Sequence, residues 1–145
     1  MKKIMLSVLA VAALAIASAI AKDLPIPAQK LPAEAQNFLK AHFAKNSVVS
    51  AMHDTDISDN DYTVMLDNGV KVEFDSAGKW ESVKCRGGVV PSSIVPAKIS
   101  GYVSGHYPSL GIEKIERKRY GYEVELTNDL DLKFDLAGKF LGLDD

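Results

Sequence analysis

Apolar residues fall into three patterns along this chain. The first is continuous. Ile4 to Ile20 is interrupted only by Ser7 and Ser18, with Lys2 and Lys3 before it and Lys22-Asp23 directly after. The second has helical spacing. Ala35, Phe38, Leu39 and His42, and later Ile99, Tyr102, Val103 and His106, each put an apolar stripe on one helix face. Pro32 and Pro96 suit the first helical position, where a missing N–H costs nothing. Asn46 or Ser47 ends the first helix and Pro108 the second. The third pattern alternates: Tyr62, Val64 and Leu66 against Thr63 and Met65, then Val70, Val72 and Phe74 against Lys71 and Glu73. Alternation of this kind predicts strands with one buried face.

The turns between these strands set which residues share a face. A two-residue Asn68-Gly69 turn would pair Asp67 with Val70 and send the two apolar sets to opposite sides. A three-residue loop, Asp67-Asn68-Gly69, sets Leu66 across from Val70 and keeps both sets together, with Gly69 supplying the left-handed residue. The hydrophobic pattern selects the second register. By the same logic Ser76-Ala77-Gly78 and Leu136-Ala137-Gly138 are three-residue loops. They place Asp75 across from Lys79 and Asp135 across from Lys139, as favourable ion pairs, and set Phe74 beside Trp80 and Phe134 beside Phe140.

The pattern occurs twice. Leu31-Pro32-Ala33 returns as Val95-Pro96-Ala97, and His42-Phe43 as His106-Tyr107. Val64, Leu66, Asn68, Phe74, Asp75, Ala77, Gly78 and Lys79 face identical residues at Val124, Leu126, Asn128, Phe134, Asp135, Ala137, Gly138 and Lys139. Self-similarity fixes the expected architecture: an α+β chain of tandem duplicated helix plus antiparallel-sheet units, forming a joined sheet with helices on one face. The expected boundaries are a signal peptide over 1–21, a first unit over 22–83, a connection over 84–94 and a second unit over 95–145.

Composition changes this picture at three points. The charged start, apolar core and small residues Ala19 and Ala21 have the layout of a secretory signal cleaved after Ala21, which predicts a periplasmic location. With Lys2 and Lys3 removed, 17 basic residues become 15 against 19 acidic ones, a net charge of −4. That balance argues against nucleic acid as a partner, and against a membrane except through the signal before cleavage. Cys85 is the single cysteine, so no intrachain disulfide forms.

The set Pro32, Tyr62, Val64, Leu66, Asn68, Gly69, Phe74, Asp75, Gly78 and Trp80, matched by Pro96, Tyr122, Val124, Leu126, Asn128, Phe134, Asp135, Gly138 and Phe140, resembles the PepSY-like domains of exported bacterial proteins. These are similar in fold to the β-lactamase inhibitory protein. The resemblance implies helices on one side of a joined sheet and an open, often concave face on the other. In the inhibitory protein that face meets an enzyme. The lone cysteine departs from the inhibitor's disulfide pattern, and Asp129 stands where the first copy has Gly69.

Candidate chemistry is sparse. No nucleophile-with-base set, phosphate loop or cysteine cluster is present, so neither an enzyme nor a cofactor is expected. The loop from Asp54 to Asp61 starts like a calcium loop, with Asp54, Asp56 and Ser58, and then has Asp59 where Gly is needed and Met65 where Glu is needed. Solvation explains it more simply, and calcium or small-ligand binding stays as the alternative function. His42 and His106 lack companion ligands and read as edge-of-core residues. On the open face Glu125 lies across from Asp131, a like-charge pair, with Met65 and Leu141 as isolated apolar groups. These four residues are the expected contact surface for an unknown periplasmic protein or peptide whose basic group meets the acids. The alternative is that Lys133, diagonal to Glu125, screens the pair and nothing binds.

Overall fold

A computed structural model describes residues 23–56 and 60–144. The expected signal peptide, its cleavage site and Ser58 lie outside the described residues.

The elements run β1 (Asp23–Pro25), a short 3-10 turn (Ala28–Lys30), α1 (Ala33–His42), β2 (Val48–Asp54), β3 (Tyr62–Leu66), β4 (Val70–Phe74) and β5 (Trp80–Cys85). Then come α2 (Ala97–His106), β6 (Ile112–Arg117), β7 (Gly121–Leu126), β8 (Asp131–Asp135) and β9 (Phe140–Asp144). The nine strands of the described residues form one antiparallel sheet whose spatial order is the sequence order. Pro32 and Pro96 precede the helices as extended cap residues, one position earlier than the spacing predicts. Among the described residues no helix is long and apolar enough to cross a membrane.

The expected loop register holds. Met65 pairs with Lys71 and Glu125 with Asp131, so Leu66 and Leu126 sit across three-residue loops from Val70 and Leu130. Gly69 takes φ +83° and Asp129 takes φ +68° at the matching position, where a short polar side chain tolerates the left-handed region. Asn68 Oδ1 accepts from the Val70 amide at 3.2 Å, and Asn128 Oδ1 from the Leu130 amide at 3.2 Å. One expectation is corrected. Asp75 and Asp135 do lie across from Lys79 and Lys139, their amides donating to the lysine carbonyls at 2.8 and 2.9 Å, but their carboxylates form no ion pair with the two lysines. Asp75 Oδ1 accepts from the amides of Ala77 at 3.0 Å and Lys79 at 2.9 Å, and Asp135 Oδ1 does the same at 2.9 and 2.8 Å. The tight loop aims those two N–H groups at the carboxylate, which satisfies it locally.

One side of the sheet is apolar and roofed. Ala51, Val64, Val72, Val83, Ile115, Val124 and Leu132 stand abreast on β2 to β8, and each is at most 5% exposed. The helices cover this side. Phe38 of α1 meets Phe74 edge-on at 5.6 Å, and Tyr102 of α2 meets Phe134 edge-on at 5.5 Å. Tyr102 also stacks on Phe140 at 4.5 Å. The strand pair β5–β6 carries this core through the middle of the molecule, Val83 beside Ile115, both fully buried.

Candidate functional site

Alternation sends the other half of each strand to the bare side of the sheet, where no helix lies among the described residues. One row there is Met65, Lys71, Lys84, Lys114, Glu125, Asp131 and Asp144, one residue from each of β3 to β9. Three lysines stand abreast, then three acids. The next row is Met52, Thr63, Glu73, Ser82, Glu116, Glu123 and Lys133 on β2 to β8. Ion pairs join the rows, Lys71 Nζ to Glu73 at 3.2 Å, Lys133 Nζ to Asp144 at 3.2 Å and Lys114 to Glu116, and Lys118 Nζ, just past β6, adds a second contact to Glu116 at 2.9 Å. Lys84 Nζ reaches Glu125 at 3.8 Å.

These contacts shift several protonation equilibria. Burial pushes the Glu116 carboxyl up, but hydrogen bonds from Lys114 and Lys118 outweigh it and hold the group below its ordinary range. Burial, then the hydrogen bond shared with Asp144, pushes Glu123 up. Lys133, then that same hydrogen bond, holds Asp144 down. Burial and the charges of Asp61, Asp75 and Glu73 push Glu81 up, and burial and Glu113 push the Cys85 thiol up.

Of the residues expected from sequence to form a contact surface, Glu125 and Asp131 are direct neighbours. Asp131 extends to Asp144 on β9, so the like-charge pair is a trio. The expected screening by Lys133 goes instead to Asp144, and Lys84 serves Glu125. Met65 stands four strands from Glu125, about 19 Å at ordinary strand spacing, with the lysines between. Leu141 is 54% exposed and occupies a bulge in β9, between Phe140 opposite Phe134 and Gly142 opposite Lys133. The four residues share a sheet but not one patch. The lysine row is the feature sequence reasoning missed. Its signal was present in the parity of Lys71, yet Lys84 and Lys114 join it only through the β5–β6 pairing.

Two acidic groupings flank the row. Asp23, Asp54, Asp61 and Glu73 line a concavity of about 390 Å³ near β1 to β4, together with Lys71. Asp54 Oδ1 accepts from the Asp56 amide at 2.9 Å, closing a turn at the start of the 54–61 loop. Glu113, Glu125 and Asp129 bring one carboxylate oxygen each within 4.8 Å of one another. The corresponding positions in the first half are Val49, Met65 and Gly69, which offer no side-chain oxygens. His42 bonds Ser93 Oγ at 2.8 Å and His106 bonds the Tyr102 carbonyl at 3.0 Å, each resting against an aromatic ring of its helix.

An open antiparallel sheet roofed on one side by two helices and charged on the other places the chain among small α+β proteins. The chain belongs to the PepSY-like family, whose model, described as "Putative beta-lactamase-inhibitor-like, PepSY-like", matches residues 60–142. Three solved structures are similar. One is described as a "putative calcium-regulated periplasmic protein" from Bacteroides thetaiotaomicron, with 42% identity and TM-score 0.81, covering 85% of this chain and 97% of its own. A second, from Bacteroides vulgatus, is described as a "putative periplasmic protein from DUF2874 family", with 40% identity and TM-score 0.80, covering 87% and 99%. A third, also from Bacteroides vulgatus, is described as periplasmic and of unknown function, with 36% identity and TM-score 0.81, covering 85% and 99%. No curated protein matches the chain.

Proposed function

We propose that this protein is a non-catalytic periplasmic module that recognises another protein or peptide through the bare face of its sheet. The observation that carries this reading is the sorted charge of that face, Lys71, Lys84 and Lys114 abreast and Glu125, Asp131 and Asp144 beside them. A face that merely dissolves the protein needs both signs interspersed, and sorting them into blocks creates local fields that favour partners of matching pattern. The export signal read in residues 1–21 and the periplasmic descriptions of the three relatives support the location. In this reading 22–83 and 95–145 are copies of one duplicated unit joined through 84–94, of which Lys84 and Cys85 complete β5 rather than lie in the connection, supported by the shared order of helix and four strands and by matching three-residue loops.

The test is comparative capture from a periplasmic extract. Wild type, an open-face variant (Lys84→Glu with Asp131→Lys) and a helix-side variant (Lys40→Glu with Lys98→Glu) serve as baits. A band lost only with the open-face variant supports the reading. Capture unchanged by that variant sinks it.

A second reading, calcium or small-ligand binding, is favoured by the acidic concavity around Asp23, Asp54, Asp61 and Glu73 and by the description of the Bacteroides thetaiotaomicron relative. Asp54, Asp56 and Ser58 are the loop residues assigned to it. Calcium raising the melting temperature of wild type, but not of Asp54→Asn, would support this reading. An unchanged melting curve at millimolar calcium would remove it.

A further inference from the structure

The charged row of the bare face is complementary to its own reverse. From β4 to β9 it runs Lys71, Lys84, Lys114, Glu125, Asp131, Asp144, three positive then three negative. Turning a second copy about an axis parallel to the strands, placed between β6 and β7, does two things. It brings bare face onto bare face, and it reverses the strand order while leaving each row over itself. Lys71 then faces the second copy's Asp144, Lys84 its Asp131 and Lys114 its Glu125, and the symmetry repeats all three contacts. We infer that the bare face binds a second copy of this chain, bare face to bare face, in a salt-sensitive symmetric dimer. This inference rests on the open-face reading proposed above and names its partner.

Geometry and energetics permit the arrangement. An axis along the strands keeps the strand directions of the two sheets aligned, the relation that stacked sheets adopt at about 10 Å separation. Such an interface is isologous, the commonest type among soluble oligomers. The second row is compatible with it. Ser82 faces Lys133 and Glu73 faces Gly142. Glu116 faces Glu123, but Lys114 and Lys118 already neutralise Glu116. Lys71 and Lys84 are partly exposed and their present pairs to Glu73 and Glu125 are surface contacts, while Lys114 lies within reach of Glu116 on its own strand and keeps that pair. Such pairs contribute little, so exchanging them for contacts across the interface costs little.

Size bounds the strength. Six strands of about five residues present roughly 500 Å² per copy at ordinary strand dimensions, below the roughly 800 Å² of a standard interface. The dimer is therefore weak, reversible and carried by charge. Raising ionic strength from about 0.05 to about 0.5 M should weaken it at least roughly tenfold, because screening acts strongly on pairs at a partly solvated interface.

A charge swap tests the proposal. Variant one carries Lys71→Glu and Lys84→Glu, and variant two carries Asp131→Lys and Asp144→Lys. Each alone puts like charges across the axis. Mixed together, every contact in the row is again between opposite charges. Sedimentation at about 0.5 mM, where even an interface at the small end of the range populates a dimer, should give salt-sensitive dimer for wild type, monomer for each variant, and heterodimer for the mixture. Monomeric wild type at low salt would overturn the inference, as would variants that still dimerise alone or a mixture that stays monomeric. Should a double variant lose its native melting transition, Lys71→Glu and Asp144→Lys, which face each other, replace the pairs. Failure here alongside capture of another protein that depends on the open face would remove only the second copy. Failure of both would remove the open-face reading as well.

Discussion

Gly78 and Gly69 allow the seat of the helix on the sheet to be weighed by one methyl group. Both are left-handed, with φ +90° and +83°. They differ in what a Cβ would meet. At Gly69 nothing lies within 4 Å, whereas at Gly78 the Cβ would sit 2.8 Å from Pro32 Cβ and 2.9 Å from the Ala35 amide nitrogen. Gly69→Ala should therefore cost only the left-handed penalty, about 1–2 kcal/mol. Gly78→Ala should add overpacking of about 1–3 kcal/mol, because the obstacles are proline ring and helix backbone and cannot swing aside. The sum, about 2–5 kcal/mol, is a large part of the roughly 5–15 kcal/mol holding an ordinary domain together. Urea unfolding followed through Trp80, the single tryptophan, should show the Gly78→Ala midpoint about 1–2 M below wild type, with Gly69→Ala displaced by about half as much. Gly69→Asp should lose less than Gly69→Ala, because Asp129 already occupies the corresponding left-handed position. Equal losses for Gly69→Ala and Gly78→Ala would refute the claim that the loop packs directly beneath the start of α1.

Three further predictions concern the turn, the acidic corner and the seam. Asp75→Ala should cost about 0.5–2 kcal/mol, like the loss of a cap, while Lys79→Ala should change stability by less than about 0.5 kcal/mol; denaturation midpoints distinguish backbone capping from an ion pair, which would make the two losses similar. Glu81→Gln should raise the melting temperature at pH 7 and lose that advantage at pH 4. The sign follows from Glu81 having its folded pKa raised: the ionised form is penalised in the folded state, so stability falls as pH rises from the unfolded value near about 4.3 through the folded one. Ile115→Ala should cost about 2–5 kcal/mol and lower the stability of both halves in one transition, because Ile115 lies between Val83 and Val124; two separate transitions by calorimetry would contradict a single core.

Much of the fold could be read in the sequence where the information was local. The three-residue loops followed from parity, since only that register keeps Leu66 and Val70 on one face. The side taken by Tyr62, Trp80 and Tyr122 followed from the same alternation, and all three pack on the core. Long-range pairing was less legible. Nothing local in Trp80–Cys85 announces Ile112–Arg117 as its neighbour, so the lysine row that depends on this pairing was not visible. Strand β1 also escaped notice: it is three exposed residues ending in Pro25, with no alternation long enough to register. The Asp75 and Lys79 expectation went astray for a different reason. Opposite charges across a turn suggest attraction, but the amides of a tight loop lie nearer to the carboxylate than a flexible ammonium does.

That spatial order copies sequence order has a consequence for how the molecule is made. A chain arriving amino end first never has to thread a late segment between two earlier ones, because every new strand docks on the growing rim. The hairpins from β2 to β5 and from β6 to β9 close over short stretches, and only the steps from β1 to β2 and from β5 to β6 must wait for an intervening helix. Folding can therefore keep pace with delivery by simple accretion, with those two crossings as the slow steps.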